Sequence, residues 1–315
     1  MQKNQSKKLA HGAMMIALFT ILVAIVSFVP LVSIIALLFA PLPIIWYSAT
    51  YDRKSSLLVA IIAMFVPFFI GGLLILPLSF IFAAVGAVIG DALYNKKSKM
   101  YMFISTSIAV LITFSIQYII SVRLFNIDFI QNSLDLMRTS YKDSVEMAVR
   151  ITGQPAPEQM MDNMNTMIDT IEMTVPASIT MAVLLFTLIL LAVNLPVLKR
   201  FKIDVPKFSK FSELRLPRAV LWYYLIVLSI NLFVRPEVDS SLGIVMLNVS
   251  MILWLLLTIQ GISFIHFTLD AYKQPKFLKV LSTLIAIPLY SIVILVGIID
   301  LGFNIREYIQ EKSQK

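Results

Sequence analysis

The sequence predicts an all-α protein, a polytopic transmembrane helix bundle of about nine spans. Its 315 residues are 59% hydrophobic and only 14% charged, and the mean hydropathy is +0.87, which indicates that lipid is the solvent. Its apolar runs approach the roughly 20 residues that a helix needs to cross about 30 Å of hydrocarbon. The chain lacks the alternating segments of about ten residues that are typical of transmembrane barrels.

Nine apolar runs are long enough to be interpreted as spans. They lie at about 11–29, 31–50, 55–71, 73–94, 100–122, 174–195, 218–234, 241–267 and 280–300. The basic start MQKNQSKK resembles a signal peptide, but no convincing cleavage site follows, so we expect the first run to remain as a span. The span count depends on Gly71 and Gly72, where we expect a tight turn between two full spans. A re-entrant hairpin at that turn would change whether the number of spans is odd or even.

The basic residues indicate the orientation. With strict alternation and a cytoplasmic N-terminus, 18 of the 26 Lys and Arg residues lie in cytoplasmic segments. The opposite orientation would invert this bias, so the positive-inside rule predicts a cytoplasmic N-terminus. Nine spans then place the C-terminus outside. Because the positive charge is explained by topology, the formal net charge of +8 does not indicate a nucleic-acid partner.

The segment 123–173 is predicted to form an external hairpin of two amphipathic helices between spans five and six. It carries 8 acidic and 4 basic residues and is interrupted by the sequence TGQPAPEQ. Apolar residues recur at helical spacing on both sides of this break. The first set is Ile130, Leu134, Met137, Tyr141, Val145 and Ala148, and the second is Met160, Met164, Met167 and Ile171. These apolar stripes must be buried against each other, against the membrane surface or against a partner protein.

The chain divides into three predicted parts. Residues 1–198 form a six-span unit that includes the hairpin, 199–217 form a basic cytoplasmic connector, and 218–315 form a three-span unit. The connector interleaves its cations with phenylalanines, which favours contact with anionic lipid. The candidate lipid-contacting residues are Lys199, Arg200, Lys202, Lys207 and Lys210.

No constellation in the sequence indicates an enzyme. The absence of cysteine excludes disulfides and thiolate metal sites. Ser263 and His266 lie on one predicted helix, whereas a nucleophile and its base are expected on facing elements. Asp52 and Asp91 make a weak aspartyl-protease pair, because both lie near the cytoplasmic face.

Metal and nucleotide chemistry are equally unsupported. The chain has two histidines and no HExxH motif, and it has no phosphate-binding glycine loop. The external run MMDNMNTM could bind Cu(I), but methionine at helical spacing more often packs. We therefore predict no catalytic residue, no cofactor and no metal site.

Prolines and deep amides mark a possible solute cavity. Pro41, Pro43 and Pro67 interrupt apolar runs, together with Pro77 and Pro288, and broken helices often line cavities in transporters. Gln117, Asn231, Asn248 and Gln260 are the deepest polar residues. They could bind a polar solute or join helices. The candidate cavity residues are Pro41, Pro43, Pro67 and Gln117.

Small residues at helical spacing mark possible helix docking. The residues are Ala13, Ala17, Ala83, Gly86, Ala87 and Gly90. Small side chains let helix backbones approach closely. Packing within the bundle is one explanation, and docking onto another membrane subunit is the alternative.

The sequences FSELRLPRAVLWYY and GIIDLGFNIREYIQ, with the six-span N-terminal part, resemble the YybS-like membrane proteins of Firmicutes. This resemblance covers essentially the whole chain and implies a bacterial cell membrane and a family of unknown function. The first six spans are similar to the S-components of energy-coupling-factor transporters, whose first helix docks on the coupling subunit through small residues that match Ala13 and Ala17. The extra C-terminal spans and the hairpin depart from that pattern. The same plan is reported in the cell-shape factor MreD, so the resemblance leaves function open.

Two main functional hypotheses follow. The first is a transporter-like subunit that binds a small solute and relies on another membrane subunit for energy. The second is an MreD-like scaffold that holds partner proteins and binds no solute. An intramembrane enzyme is the third and weakest hypothesis.

Overall fold

The computed structural model describes residues 2–153, 158–206, 210–303 and 305–313, and these ranges contain helices and no β-strand. The α-helices are α1 (Gln2–Phe28), α2 (Pro30–Phe39), α3 (Leu42–Thr50), α4 (Arg53–Phe65), α5 (Phe68–Gly71), α6 (Leu76–Tyr94), α7 (Lys99–Phe125), α8 (Phe129–Thr152), α9 (Glu158–Arg200), α10 (Ala219–Ser229), α11 (Ser241–Ala271), α12 (Lys276–Ala286), α13 (Tyr290–Gly302) and α14 (Ile305–Ser313). Gly72–Ile75 and Phe211–Glu213 are 3-10 helices, and Ile230–Val234 is a π-helix.

Several helices are suited to a membrane. Within the described residues, six helical stretches are long and apolar enough to cross, or seven if α12 and α13 count as one. The predicted polytopic helical bundle is confirmed, whereas the predicted count of nine spans is not.

The chain folds into two units. Unit 1 comprises Met1–Asn132 and Ala182–Lys207, and unit 2 comprises Ser133–Met181 and Phe208–Lys315. The predicted six-span part differs from unit 1, because most of α8 and the first half of α9 pack in unit 2. The reason is a set of hydrogen bonds from Asn248 of α11 to the α9 backbone at Met173 and Ala177.

Unit 1 is built on α6. A Cβ at Gly86 would lie 2.6 Å from Ile44 of α3, and one at Gly90 would lie 2.3 Å from Ser48, so the two helices touch through their backbones. The rings of Phe65 in α4 and Phe80 in α6 lie 5.2 Å apart, whereas a straight helix would separate them by roughly 22 Å. The chain therefore reverses between them, as the predicted turn at 71–72 requires.

Unit 2 is built on α11. A Cβ at Gly261 would lie 2.1 Å from the Val293 carbonyl of α13, and one at Gly297 would lie 2.2 Å from the Leu257 carbonyl. The predicted ninth span, 280–300, is not one helix, because α12 and α13 are bent by 114°. Pro288 lies in the break and lacks the N–H that a continuous helix needs.

The two ends of the α12–α13 pair contact α11 at positions ten residues apart. Lys279 at the start of α12 pairs with Asp270, and Asp300 at the end of α13 bonds to Gln260. Ten residues of helix separate these two α11 positions by roughly 15 Å, about half of the hydrocarbon thickness. We therefore describe α12 and α13 as a bent pair of helices.

The polar and apolar sides of α12 are arranged in the opposite way to those of a surface helix in water. Its polar residues point to α11: His266 Nε2 lies 2.9 Å from Thr283 Oγ1 and 3.0 Å from the Lys279 carbonyl oxygen. Phe277, Val280 and Leu284 are exposed on the other side. An outward apolar face is expected of a helix that contacts lipid.

Candidate functional site

A buried group of polar side chains, which we call the Arg306 cluster, lies inside unit 2. It comprises Arg306, Asp300, Gln260, Ser263 and the backbone of 211–216. Arg306 is 7% exposed and Asp300 is 0% exposed, and such residues are almost never buried without partners. The cluster joins the connector, α11, α13 and α14.

Arg306 binds Asp300 and the connector at once. Its Nε donates to both Asp300 carboxylate oxygens, at 2.9 and 3.1 Å, and its Nη2 donates to Oδ2 at 2.7 Å. Nη1 donates to the Ser212 carbonyl at 2.9 Å, and Nη2 donates to the Leu214 carbonyl at 3.1 Å. The guanidinium carbon lies 5.0 Å from the centre of the Phe267 ring, within the cation–π range. These contacts use the planar fork of arginine, which lysine lacks.

Gln260 and Ser263 hold the connector against α11. Gln260 Oε1 accepts from the Leu216 N–H at 2.8 Å, and its amide nitrogen donates to Asp300. Ser263 Oγ donates to the Leu214 carbonyl at 2.7 Å. The polar groups of the cluster are thus bonded to one another and to the backbone, which indicates that the cluster holds unit 2 together.

The local sequence explains how Arg306 reaches the cluster. Helix α13 ends at Gly302, and Phe303 is extended, with φ −122° and ψ 153°. Helix α14 starts at Ile305, and its second residue, Arg306, bonds to Asp300. Both sequences that carry the family resemblance, at 211–224 and 297–310, contribute to this one cluster.

The residues considered for proteolysis are not arranged as nucleophile and base. Ser263 bonds to the connector backbone, and His266 lies against α12. No hydrogen bond between the two is found in the described residues. Asp52 caps α4 and pairs with Lys8, and this bond lowers the pKa of its carboxyl below the usual value. Asp91 lies 3.5 Å from Arg53 instead.

The predicted cavity residues line neither of the two clefts described for unit 2. Pro41, Pro43 and Pro67 are buried, and the Pro41 carbonyl lies 3.1 Å from the Cβ position of Gly86. Gln117 Nε2 donates to the Pro77 carbonyl at 3.2 Å. Two clefts are found elsewhere, both in unit 2. They have volumes of about 390 Å³, beside Arg138, and about 160 Å³, beside Trp254.

The small residues divide into two groups. Ala83, Gly86 and Gly90 are buried and Ala87 is half-buried, because α6 packs within unit 1. Ala13 and Ala17 are exposed on α1. The α6 residues therefore serve packing inside the chain, and only the α1 pair is accessible to another molecule.

The basic connector residues that lie within the described ranges are exposed. These are Lys199, Arg200, Lys202 and Lys210. Lys207 lies outside the described residues, as does the middle of the TGQPAPEQ break.

Helices α8 and α9 are joined by an ion pair within unit 2. Arg138 donates to Asp169 at 3.0 Å and to Asp135 at 3.2 Å. Leu134, Val145 and Met164 from the predicted stripes are buried, whereas Met160 and Met167 are exposed.

Asn248 is a key residue whose partner the sequence did not indicate. Its Oδ1 accepts from the Ala177 N–H at 2.8 Å, and its Nδ2 donates to the Met173 carbonyl at 2.7 Å. The amide therefore occupies the place of one i→i+4 hydrogen bond of α9, beside Pro176. The available signal was a proline inside a helix, which disturbs the hydrogen bonds around it.

Comparisons with known proteins give a family and no activity. The description "Predicted membrane protein (DUF2232)" matches residues 17–301. The uncharacterized protein YybS of Bacillus subtilis (strain 168) is 28% identical over 311 residues, which are 98% of this chain and 100% of YybS. No solved structure matches the chain. The resemblance to YybS-like proteins is confirmed, and the chain belongs to the DUF2232 family of predicted membrane proteins.

Proposed function

We propose that this protein is a non-enzymatic subunit of a membrane protein assembly that docks on a partner through α1. One observation carries the proposal: all four deep amides bond to the chain's own groups. Gln117 bonds to Pro77, Asn231 to Ser250, Asn248 to α9, and Gln260 to Asp300 and Leu216. Amides used in this way join helices.

The exposed pair on α1 is the docking site in this proposal. Ala13 and Ala17 lie one turn apart, whereas Met15 and Phe19 on the other side of α1 are buried in unit 1. A partner helix could therefore approach α1 closely without displacing the core. Docking through α1 is expected both of a scaffold protein and of a transporter subunit that depends on another subunit for energy.

Ala17→Leu is expected to reduce co-purification of the partner protein at least about fivefold, a loss of roughly 1 kcal/mol, because leucine prevents the close approach. The measurement is quantitative mass spectrometry after gentle purification from native membranes. Ala182→Leu is the matched control, since Ala182 is an exposed alanine on α9. An unchanged partner yield for Ala17→Leu, with normal expression of both variants, would refute the docking site.

We further infer eight crossings, an inner re-entrant pair and both termini in the cytoplasm. The crossings are α1, α2 with α3, α4 with α5, α6, α7, the second half of α9, α10 with the π-helix, and α11. The basic residues of the connector support its inner location. Arg306 bonds to the connector carbonyls of Ser212 and Leu214, which supports an inner C-terminus instead of the outer one predicted from nine spans.

Single-cysteine labelling tests this topology, because the chain has no cysteine. Glu311→Cys should resist a membrane-impermeant maleimide in intact cells and react after permeabilisation. Lys142→Cys in α8, which the topology places outside, should react in both conditions. Labelling of Glu311→Cys in intact cells would show that the α12–α13 pair crosses the membrane.

A solute-binding subunit remains the second candidate because of one observation in unit 1. Five buried polar atoms of uncharged side chains in unit 1 have no hydrogen-bond partner among the described residues. They are Ser48 Oγ, Thr106 Oγ1, Ser107 Oγ, Thr187 Oγ1 and Asn194 Oδ1. An unpartnered buried group costs about 1–3 kcal/mol, and a bound solute would supply partners. A small molecule that co-purifies reproducibly without a protein partner would favour this function.

A further inference from the structure

Two turns at one end of unit 1 meet and form a surface that we call the apolar tip. The tip consists of residues 28–31, between α1 and α2, and residues 68–76, from α5 to the start of α6. The turns meet because Phe28 Cζ lies 3.0 Å from the position that a Cβ on Gly71 would take. Six large side chains of the tip are more than half exposed, namely Phe28, Leu31, Phe69, Ile70, Leu73 and Leu74.

The charged residues of these two helical hairpins lie at the opposite end. Four side chains form two ion pairs there, Lys8 with Asp52 and Arg53 with Asp91. The segments 12–51 and 55–90 contain no charged residue, no histidine, no asparagine and no glutamine. The tip therefore presents neither a charged nor an amide side chain to its surroundings.

The length of the helices indicates how deep the tip lies. Asp91 follows Leu76 by 15 residues of α6, which is roughly 22 Å of helix. Arg53 precedes Gly71 by 18 residues, which is at most roughly 27 Å. The hydrocarbon of a bilayer is about 30 Å thick. When the charged end lies at one headgroup layer, the tip ends before the headgroups of the opposite leaflet.

The backbone of the tip is suited to an environment without water. Four consecutive N–H groups of the second turn donate to carbonyls of residues 66–68, and they belong to Phe69, Ile70, Gly71 and Gly72. Pro30 and Pro77 lie in the first turns of α2 and α6, where they have no N–H that would need a partner. Backbone in lipid must form its hydrogen bonds within the protein, and these turns largely do so.

The hydroxyl groups nearest the tip are bonded in the same way. Ser27, Ser33 and Ser79 each donate to a carbonyl of their own helix, at distances of 2.8–3.1 Å. These serines therefore do not require water.

We propose that the apolar tip lies in the hydrocarbon of the bilayer and contacts the acyl chains of one leaflet. Proteins rarely expose an apolar patch of this kind to water, and Leu31 and Leu74 are 97% and 92% exposed. The helices of unit 1 still traverse most of the hydrocarbon, so the order of inner and outer segments is unchanged. The proposal is independent of docking through α1.

Electron paramagnetic resonance of the full-length protein in phosphatidylcholine vesicles tests the proposal. Leu31→Cys and Leu74→Cys each carry one nitroxide label, because the chain has no other cysteine. The matched control is Lys54→Cys, an exposed position at the charged end of the second hairpin. Oxygen concentrates in hydrocarbon and a nickel chelate stays in water. The ratio of oxygen to nickel collision rates should be several times higher at both tip positions than at the control.

Lipids with longer acyl chains extend the test. They thicken the hydrocarbon, so the ratio at both tip positions should rise further, whereas the ratio at Lys54→Cys should stay low.

Two results would overturn the proposal. A ratio at both tip labels as low as that of the control would place the tip in water or among headgroups. Low collision rates with both reagents would show that protein covers the tip, and spectral broadening between labels would identify a second copy of this chain. The thermal unfolding midpoint of each labelled variant should match that of the wild type, because both leucines are almost fully exposed.

Discussion

Replacing Arg306 with methionine is expected to lower the free energy of unfolding by about 3–5 kcal/mol, because removing one partner leaves the other charge buried and unpaired. Asp300 is 0% exposed and, among its partners in the described residues, would keep the bond from Gln260. The connector carbonyls of Ser212 and Leu214 would lose their shared donor. The measurement is the thermal midpoint of the purified protein in detergent, followed by loss of monodisperse elution.

A second variant separates the charge effect from general damage. Arg306→Met combined with Asp300→Leu should recover most of the stability, since replacing a buried pair by apolar residues is often neutral. Arg235→Met serves as a surface control, because Arg235 is exposed and bonds only to its own turn in the described part of the chain. If the single and double variants lose stability equally, the Asp300 charge is not the cause.

Asn248→Leu is expected to cost about 2–4 kcal/mol, because two backbone groups of α9 lose their partners inside the protein. The affected groups are the Ala177 N–H and the Met173 carbonyl. Hydrogen exchange at Ala177 should accelerate in this variant, which a loss of apolar packing alone would not cause. The same thermal midpoint gives the change in stability.

Asn231→Leu is the matched comparison. Asn231 is also an amide in an apolar helix, but it is exposed, and within the described residues its side chain makes one hydrogen bond, of 3.4 Å, to Ser250. We expect a cost below about 1 kcal/mol. Equal losses for the two variants would contradict the insertion of Asn248 into α9.

The sequence predicted the helical class and the turn at 71–72 because both depend on local properties. Hydropathy reports which segments are apolar, and adjacent glycines report where a backbone can turn sharply. Hydropathy does not show whether an apolar segment continues straight or turns within the membrane. The run 280–300 is mostly apolar, so it was predicted to be one span, although the chain bends by 114° near Pro288.

Less of the candidate site could be predicted, because its contacts are distant in sequence. Gln260 was recognised as a deep amide, but its partner Asp300 is 40 residues away. Asn248 meets α9 at a position more than 70 residues earlier. Periodicity identifies which face of a helix is apolar, and it does not identify which helix that face meets.

The long separation in sequence between Arg306 and its connector partners has a consequence for biosynthesis. The connector carbonyl that it binds lies 94 residues earlier, at Ser212. At about 5–20 residues per second, the ribosome needs roughly 5–19 s after Ser212 to supply its partner. During that interval the connector has no guanidinium to bind, and Asp300 is made before its counter-charge. The contacts of Arg306 in unit 2 can therefore form only after α14 has been synthesised, so a nascent chain that stops before α14 would leave an open, incompletely assembled product for membrane quality control.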